Sequence, residues 1–316
     1  MELSVVIPTL NGREQLSRCL DVLATRVPDA EVVVVNGPSS DGTTGMVCER
    51  DDVDVLLEIA ERNVNVARNA GIVESSSDIV ALLADTHRPE PGWADEIENA
   101  VTGNTGVVAG PAHRQGIDGK SPDDPERTTI ARTTVCYFHG GNVAFTRDAL
   151  SSIDGFDEYL QTGGARDAAH RLAACGQPVA WEPGMRVSRD VEPDGGSTIR
   201  ADLPRPDATD GEVGNNWGWK YRSLTYRLVK NYGVRPTVAR RVIGHLLSDA
   251  RSGVERVADD DTRASACLAG GRTSSLNAGR GLKDGLRARF TDRSPRRNPN
   301  GVTSRTDRPV ECYDWR

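Results

Sequence analysis

The sequence predicts an α/β protein, a mostly parallel sheet flanked by helices, with a helical extension at the C-terminal side. Three observations carry this expectation. Short β-branched runs alternate with helix-periodic segments through the first half of the chain. The C-terminal ends of three of the first four runs carry small polar residues, as strands do when a ligand lies across the edge of an open sheet. The 316 residues give room for one α/β domain of moderate size and an appendage.

The elements follow in order. Residues 3–7 (Leu-Ser-Val-Val-Ile) form the first strand. Residues 13–26 place Leu16, Cys19, Leu20 and Leu23 at helical spacing. Residues 31–35 are a second, buried strand, followed by the turn Gly37-Pro38-Ser39-Ser40-Asp41-Gly42 and a helix through Thr43 to Arg50. Residues 53–59 read as a third strand and 65–75 as a helix. Residues 78–83 are a fourth strand, ending at Asp85. The turn Arg88-Pro89-Glu90-Pro91-Gly92-Trp93 launches a helix through Ala100, and residues 106–110 are a further strand. Residues 115–128 are polar, with two prolines, and read as a loop. Residues 134–146 return to strand character around His139-Gly140-Gly141-Asn142, and a helix near 165–175 and a strand near 178–182 complete the domain. The organisation expected is a catalytic domain over 1–190, a linker over 191–216 rich in Asp, Gly and Pro, a basic aromatic helical extension over 217–256, and a tail over 257–316 expected to be partly disordered.

Composition narrows the classes of function. A net charge of −7 argues against a general nucleic-acid binder. Six cysteines form no CxxC pair, so a zinc ribbon and a thioredoxin motif are both excluded. No stretch approaches the roughly 20 apolar residues of a membrane span. The chain opens directly into a strand-like segment without a basic or apolar leader pattern, so a cytoplasmic location is expected. Four lysines against thirty-five arginines, with abundant Asp, suggest a GC-rich, halophilic source.

The polar residues at the strand ends are Thr9 and Asn11 after the first strand, Asn36 after the second and Asp85 after the fourth. Such a cluster suits a nucleotide, whose base and ribose need a few convergent hydrogen-bonding groups. At these positions the chain resembles the family-2 glycosyltransferases, which have the Rossmann-like GT-A fold. The resemblance covers roughly residues 3–190. It is carried by Val5-Val6-Ile7-Pro8-Thr9-Leu10-Asn11, Val34-Val35-Asn36-Gly37 with Ser40-Asp41-Gly42-Thr43, Ala67-Arg68-Asn69-Ala70-Gly71-Ile72, and Leu83-Ala84-Asp85-Thr86 with Pro89-Glu90-Pro91-Gly92-Trp93. Further along come Gly140-Gly141-Asn142, Gly155-Phe156-Asp157-Glu158, and Gly163-Gly164-Ala165-Arg166-Asp167 with Arg171-Leu172. Each piece is weak alone, and their order makes the signal strong.

The resemblance implies roles by position. Thr9, Asn11, Asn36, Asp41 and Arg68 would contact the donor nucleotide, with Thr9 and Asn36 nearest the base. Asp85 would reach the diphosphate and hold a divalent cation, Mg²⁺ or Mn²⁺. Gly140, Gly141, Asn142 and Arg166 would line the junction of donor sugar and acceptor, and Asp167 would be the general base. The chain departs from the family pattern at three places. Asn36 stands where an aspartate usually bonds the base. Ala84 and Thr86 flank Asp85 where a second carboxylate is usual, so one carboxylate, diphosphate oxygens and water would complete the cation's shell, with His87 a further candidate. Arg166 precedes Asp167 where Glu is usual, and Ser188-Arg189 replaces a late histidine, so Arg189 is expected to offer permanent charge to the phosphates.

One base, one metal and no protein nucleophile imply a single displacement with inversion at the anomeric carbon. The implied function is transfer from a UDP- or GDP-linked sugar to a lipid-linked (dolichol-phosphate type) or polymeric glycan. In kind it is similar to the haloarchaeal glycosyltransferases of surface-layer protein N-glycosylation. Residues 217–256 carry nine Lys/Arg against two acids, with Trp217, Trp219, Tyr221, Tyr226 and Tyr232 interleaved. This is a membrane-surface pattern, and equally the pattern of a helix pair packed on the domain with a solvated basic face. A sugar nucleotidyltransferase is disfavoured because residues 8–13 lack a glycine cluster, and a NAD-dependent dehydrogenase because no GxGxxG follows the first strand. A non-catalytic nucleotide- or glycan-binding relative is the remaining alternative, favoured by the missing carboxylates at Ala84 and Thr86.

Overall fold

A computed structural model describes residues 2–101, 105–112, 125–189, 217–258, 264–294 and 296–316. The strands β1 (Leu3–Thr9), β2 (Glu31–Asn36), β3 (Val55–Ile59) and β4 (Ile79–Leu83) form the parallel centre of one eight-stranded sheet. They are joined by β6 (Val107–Ala109), β9 (Asn142–Thr146), β10 (Val179–Trp181) and β12 (Pro309–Asp314), in the order β10-β6-β9-β4-β1-β2-β3-β12, while β7 (Arg127–Ile130) and β8 (Thr133–Cys136) pair with each other apart from this sheet. Only β9 and β12 run against the rest. The sheet is thus mostly parallel, as the apolar runs predict.

Side-chain alternation sorts the strands into two buried layers. Val6, Val33, Val35, Leu57, Val80 and Leu82 face α3 (Val64–Glu74), α5 (Arg147–Ile153) and α6 (Gly164–Ala174). Val5, Ile7, Val32, Val34, Leu56 and Ala81 face α1 (Arg13–Arg26) and α4 (Trp93–Ala100). Helix α3 lies unusually close to the sheet: a Cβ on Gly71 would stand 2.3 Å from Val6 Cγ1. Only glycine permits that approach.

The order β3-β2-β1-β4 reverses direction at β1, since the chain winds outward from it on both sides. The crevice beyond the C-terminal ends of β1 and β4 is the switch point at which open α/β sheets bind ligands.

The C-terminal third departs from expectation. Residues 257–316 contain a long helix, α9 (Ala264–Thr291), and β12, which pairs antiparallel with β3 and closes one edge of the central sheet. The described residues of the tail are therefore part of the fold. A run of glycine, serine and arginine conceals this because its order comes from α7 (Trp217–Tyr232) and the sheet edge, not from its own hydrophobic periodicity. Gly281 and Gly285 let α9 lie directly on α7, where Cβ atoms would stand 2.3 Å from Arg222 O and 2.7 Å from Tyr226 O. Tyr221, Leu224, Leu228, Val229 and Tyr232 of α7 form a small core with Val238 and Val242 of α8 (Pro236–Ala258). Tyr221 and Tyr226 are buried and Tyr232 nearly so. Three of the aromatic side chains of α7 that suggested a membrane face, those of Tyr221, Tyr226 and Tyr232, thus pack inward. The expected linker over 191–216 lies outside the described residues.

Candidate active site

At the switch point Thr9 Oγ1 donates to Asp85 Oδ2 over 2.8 Å. Thr9 is buried and Asp85 half-buried. The backbone of Gly12, which caps α1, fits against both: a Cβ there would lie 2.5 Å from Asp85 Oδ2 and 2.5 Å from Thr9 Oγ1. This glycine requirement was not read from the sequence, though its place after Thr9-Leu10-Asn11 could have signalled it.

The loops after β1 and β2 are stapled together by the residues expected at the nucleotide. Asn11 adopts φ +50°, a conformation Asn tolerates. Its Oδ1 accepts from Ser40 N, and its own N–H donates to Ser39 Oγ, each over 2.8 Å. Asn36 is buried; Nδ2 donates to Thr44 Oγ1 (3.0 Å) and Oδ1 accepts from Ser39 Oγ (2.7 Å). Thr44 in turn donates to Glu58. Asp41 accepts from Arg13 N (3.0 Å) and from Thr43 N (3.1 Å) and Oγ1. Burial would raise its carboxyl, but these bonds outweigh burial and hold it below the usual range.

On the other side, Arg68 of α3 is buried, donates Nη1 to Asn65 Oδ1 (3.0 Å) and stands over the Phe156 ring. Gly140 abuts it: a Cβ there would be 2.6 Å from Arg68 Nη2 and 3.1 Å from Ala165 Cβ, at the start of α6. Gly141 fits as closely against Ala84, beside Asp85. Behind Asp85, β5 (His87–Pro89) pairs with β11 (Val187–Arg189), which sets Arg189 opposite His87. His87 packs edge-on against His139 at 5.1 Å, and His139 Nδ1 accepts from Gly141 N (3.2 Å). Burial drives the His87 pKa well down, with help from the charges of His139, Arg189 and Arg88, so its ring is neutral. His139 is a site neighbour that sequence reasoning did not single out.

Two expected site residues stand elsewhere, and these are corrections. Asn142 is fully buried. Its Oδ1 accepts from Trp93 Nε1 (2.9 Å), and its Nδ2 donates to Pro111 O (3.1 Å) and Met185 O (2.8 Å). These bonds tie β9 to α4 and to the segments after β6 and before β11, and full burial keeps the side chain from a sugar. Asp167 is likewise inaccessible. Oδ2 accepts from Arg171 Nε and Lys230 Nζ, each 2.8 Å, and Oδ1 accepts from Asn231 Nδ2 (2.9 Å). Burial would raise its pKa, but the Lys230 and Arg171 charges hold it well below the carboxylate range. A carboxylate so occupied and so weakly basic does not fit a general base. Its sequence neighbour Arg166 points outward, forks onto Glu126 and covers the Tyr137 ring.

The metal expectation can be tested on donors. Asp85 is the one carboxylate at the end of β4, and among the described residues no group of three or more His, Cys, Asp or Glu stands close enough to hold a metal by itself. A hard cation at Asp85 would depend on diphosphate and water for most of its shell.

The mostly parallel, doubly wound sheet flanked by helices matches the GT-A fold of glycosyltransferases. Residues 4–153 match the family model Glycosyl transferase family 2, and over this stretch the chain is similar to that family. The pre-mycofactocin glycosyltransferase of Mycobacterium tuberculosis is 26% identical over 207 residues, 60% of this chain and 43% of that protein. Glycosyltransferase AglE of Haloferax volcanii is 32% identical over 208 residues, 57% of this chain and 66% of that one. The glucosyl-dolichyl phosphate glucuronosyltransferase of Haloferax volcanii is 23% identical over 218 residues, 60% of this chain and 70% of that one. The match thus spans less than half the length of the mycobacterial relative. Among solved structures, the mannosyltransferase PcManGT of Pyrobaculum calidifontis, in complex with GDP-Man and Mn²⁺, superposes with a TM-score of 0.55 at 17% identity, over 93% of this chain and 88% of that one.

Proposed function

We propose that the chain is an inverting glycosyltransferase. It moves a sugar from a UDP- or GDP-linked donor to a lipid-linked acceptor of the dolichol-phosphate type, or to a polymeric glycan. The setting is the cytoplasmic face of a membrane, in N-glycosylation of a surface-layer glycoprotein. The observation that carries the reading is the Thr9–Asp85 pair at the β1/β4 switch point, held under Gly12. The glucuronosyltransferase relative acts on a dolichyl phosphate, which supports a lipid-linked acceptor. No helix among the described residues is long and apolar enough to cross a membrane.

In this reading Thr9, Asn11, Asn36, Asp41 and Arg68 bind the nucleotide. Asn36 is buried at the end of β2 with its carboxamide held by Ser39 and Thr44, so it would act on the base by fixing these loops. Asp85 would hold a divalent cation, Mg²⁺ or Mn²⁺, which would neutralise the leaving diphosphate; PcManGT is in complex with GDP-Man and Mn²⁺. Arg189, in register with His87, adds fixed positive charge on the same side. Gly140 and Gly141 let the segment before β9 close onto Arg68 and Ala84, which shapes the sugar side of the cleft. Asp167 acts at a distance, holding the first turn of α6 against Gly140.

A second reading has one observation in its favour. The burial of Asp167 removes the carboxylate expected to take the acceptor proton, which suits a non-catalytic nucleotide- or glycan-binding relative. A thermal-shift screen of nucleotide sugars, with and without Mn²⁺, on wild type and Asp85→Ala tests the donor site. One donor should stabilise wild type, more so with metal, and lose its effect in the variant. A folded sample that no nucleotide sugar stabilises would refute the transferase. Donor binding without nucleotide release in the presence of lipid-linked or glycan acceptors would favour the binding protein.

A further inference from the structure

Helix α9 has two opposite faces. At 100° per residue, Gly281 and Gly285 lie on one side, against the α7 backbone. Leu276, Arg280, Lys283, Arg287 and Phe290, at alternating spacings of four and three, make one continuous stripe on the other. All five are exposed; Leu276 keeps 59% of its surface and Phe290 67%. The acid within this stretch, Asp284, is turned inward to Tyr159 and Arg222. None of the ion pairs recorded among the described residues engages Arg280, Lys283 or Arg287. Three cations in a row, bracketed by a large apolar side chain at each end, thus stand on the outside of a chain whose net charge is −7.

We infer that this stripe of α9 is a docking surface for an anionic lipid membrane. The chemistry is complementary on both counts. The cations match an anionic headgroup layer, and their long stems let them lie along the interface while Leu276 and Phe290 enter the acyl boundary. An acidic protein is repelled by such a surface except through a local basic patch, and this stripe supplies one. Tyr221, Tyr226 and Tyr232 of α7, which a sequence pattern alone would assign to the membrane, are used to bind α7 to its neighbours. The inference deepens the lipid-linked acceptor proposed above and rests on that reading for its purpose, because docking would keep the transferase at the surface where such an acceptor is found.

The test is co-sedimentation of the full chain with vesicles, at the lowest salt at which it stays folded. Wild type should bind phosphatidylcholine–phosphatidylglycerol vesicles and not pure phosphatidylcholine. The triple variant Arg280→Gln, Lys283→Gln, Arg287→Gln should partition about a hundredfold more weakly. Leu276→Ser with Phe290→Ser should lose about tenfold or more. All five side chains are exposed, so the thermal melts of both variants should match wild type. Absence of wild-type binding to the anionic vesicles, or equal binding by the triple variant, would overturn the inference. So would a wild-type dimer that the Leu276/Phe290 variant turns monomeric, because the stripe would then be a self-interface. The assay contains no donor and no acceptor, so its failure leaves the donor-binding test untouched, and the reverse also holds.

Discussion

Lys230→Met probes the joint between the catalytic domain and the C-terminal helices. Lys230 Nζ donates to Asp157 Oδ2 and Asp167 Oδ2, and all three side chains are fully buried. With Arg171, also buried, they form a group of two cations and two anions. Methionine preserves the volume and removes one charge, leaving a net negative pocket. Breaking a buried ion pair from one side costs about 3–5 kcal/mol. Residual bonds favour the lower figure: Asp167 keeps Arg171 and Asn231, while Asp157 keeps Tyr226 Oη, Asn300 Nδ2 and Tyr159 N. The expected loss is therefore about 3 kcal/mol at pH 7, read by urea unfolding. The pH dependence follows from the sign of the shift. Asp167 has a depressed carboxyl, so its contribution is complete above the ordinary carboxylate pKa of about 4 and is lost as pH falls below it. Removing Lys230 weakens that depression, so the gap between variant and wild type should narrow below about pH 4. Asp157→Asn in the Lys230→Met background should recover part of the loss, with a coupling of about 2 kcal/mol. A loss under about 1 kcal/mol, or no coupling, would refute the account of Lys230 as the joint.

Two further predictions follow from the same interface. Gly285→Ala on a free helix would stabilise by about 1 kcal/mol through propensity. Here the new Cβ would stand 2.7 Å from Tyr226 O, so the variant should instead lose about 1–3 kcal/mol, and a raised melting temperature would contradict the α7–α9 packing. His170 is buried between Tyr137 and Tyr232, and burial, aided by the Arg227 charge, lowers its pKa to about 3. The unfolded chain takes up a proton near pH 6.5 that the folded chain refuses. Stability should then fall from about pH 6.5 downward, by up to about 1.4 kcal/mol per unit, and His170→Gln should flatten that slope. An unchanged slope in the variant would show that other groups set it.

The gathering of polar residues at the switch point was legible because it is local. Thr9, Asn11, Asn36 and Asp85 lie at strand ends, and strand ends follow from short apolar runs bounded by polar turns. The fate of Asp41 as a turn clamp was also within reach, since Asp favours such turns. Gly12 and His139 were harder, because what makes them matter is the approach of Asp85 and of His87 from distant segments. Asp167 and Asn142 misled for a related reason. A polar residue beside glycines reads as a site residue until a distant partner claims it, and Lys230, Trp93, Pro111 and Met185 lie far along the chain from the residues they engage.

The sequence by itself determined the class of protein. β-branched runs alternating with helical segments dictate a parallel sheet, and polar residues at the strand ends dictate where a ligand would lie. Both are properties of short stretches, so no long-range information is needed to read them. The tertiary structure alone decided which charges are inside. Lys230, Arg171, Asp157 and Asp167 carry no local mark that separates them from solvated charges. Each is buried because a partner from another element compensates the loss of water. The same holds for α9, whose glycines and cations look like low-complexity tail until α7 covers one face and leaves the other exposed.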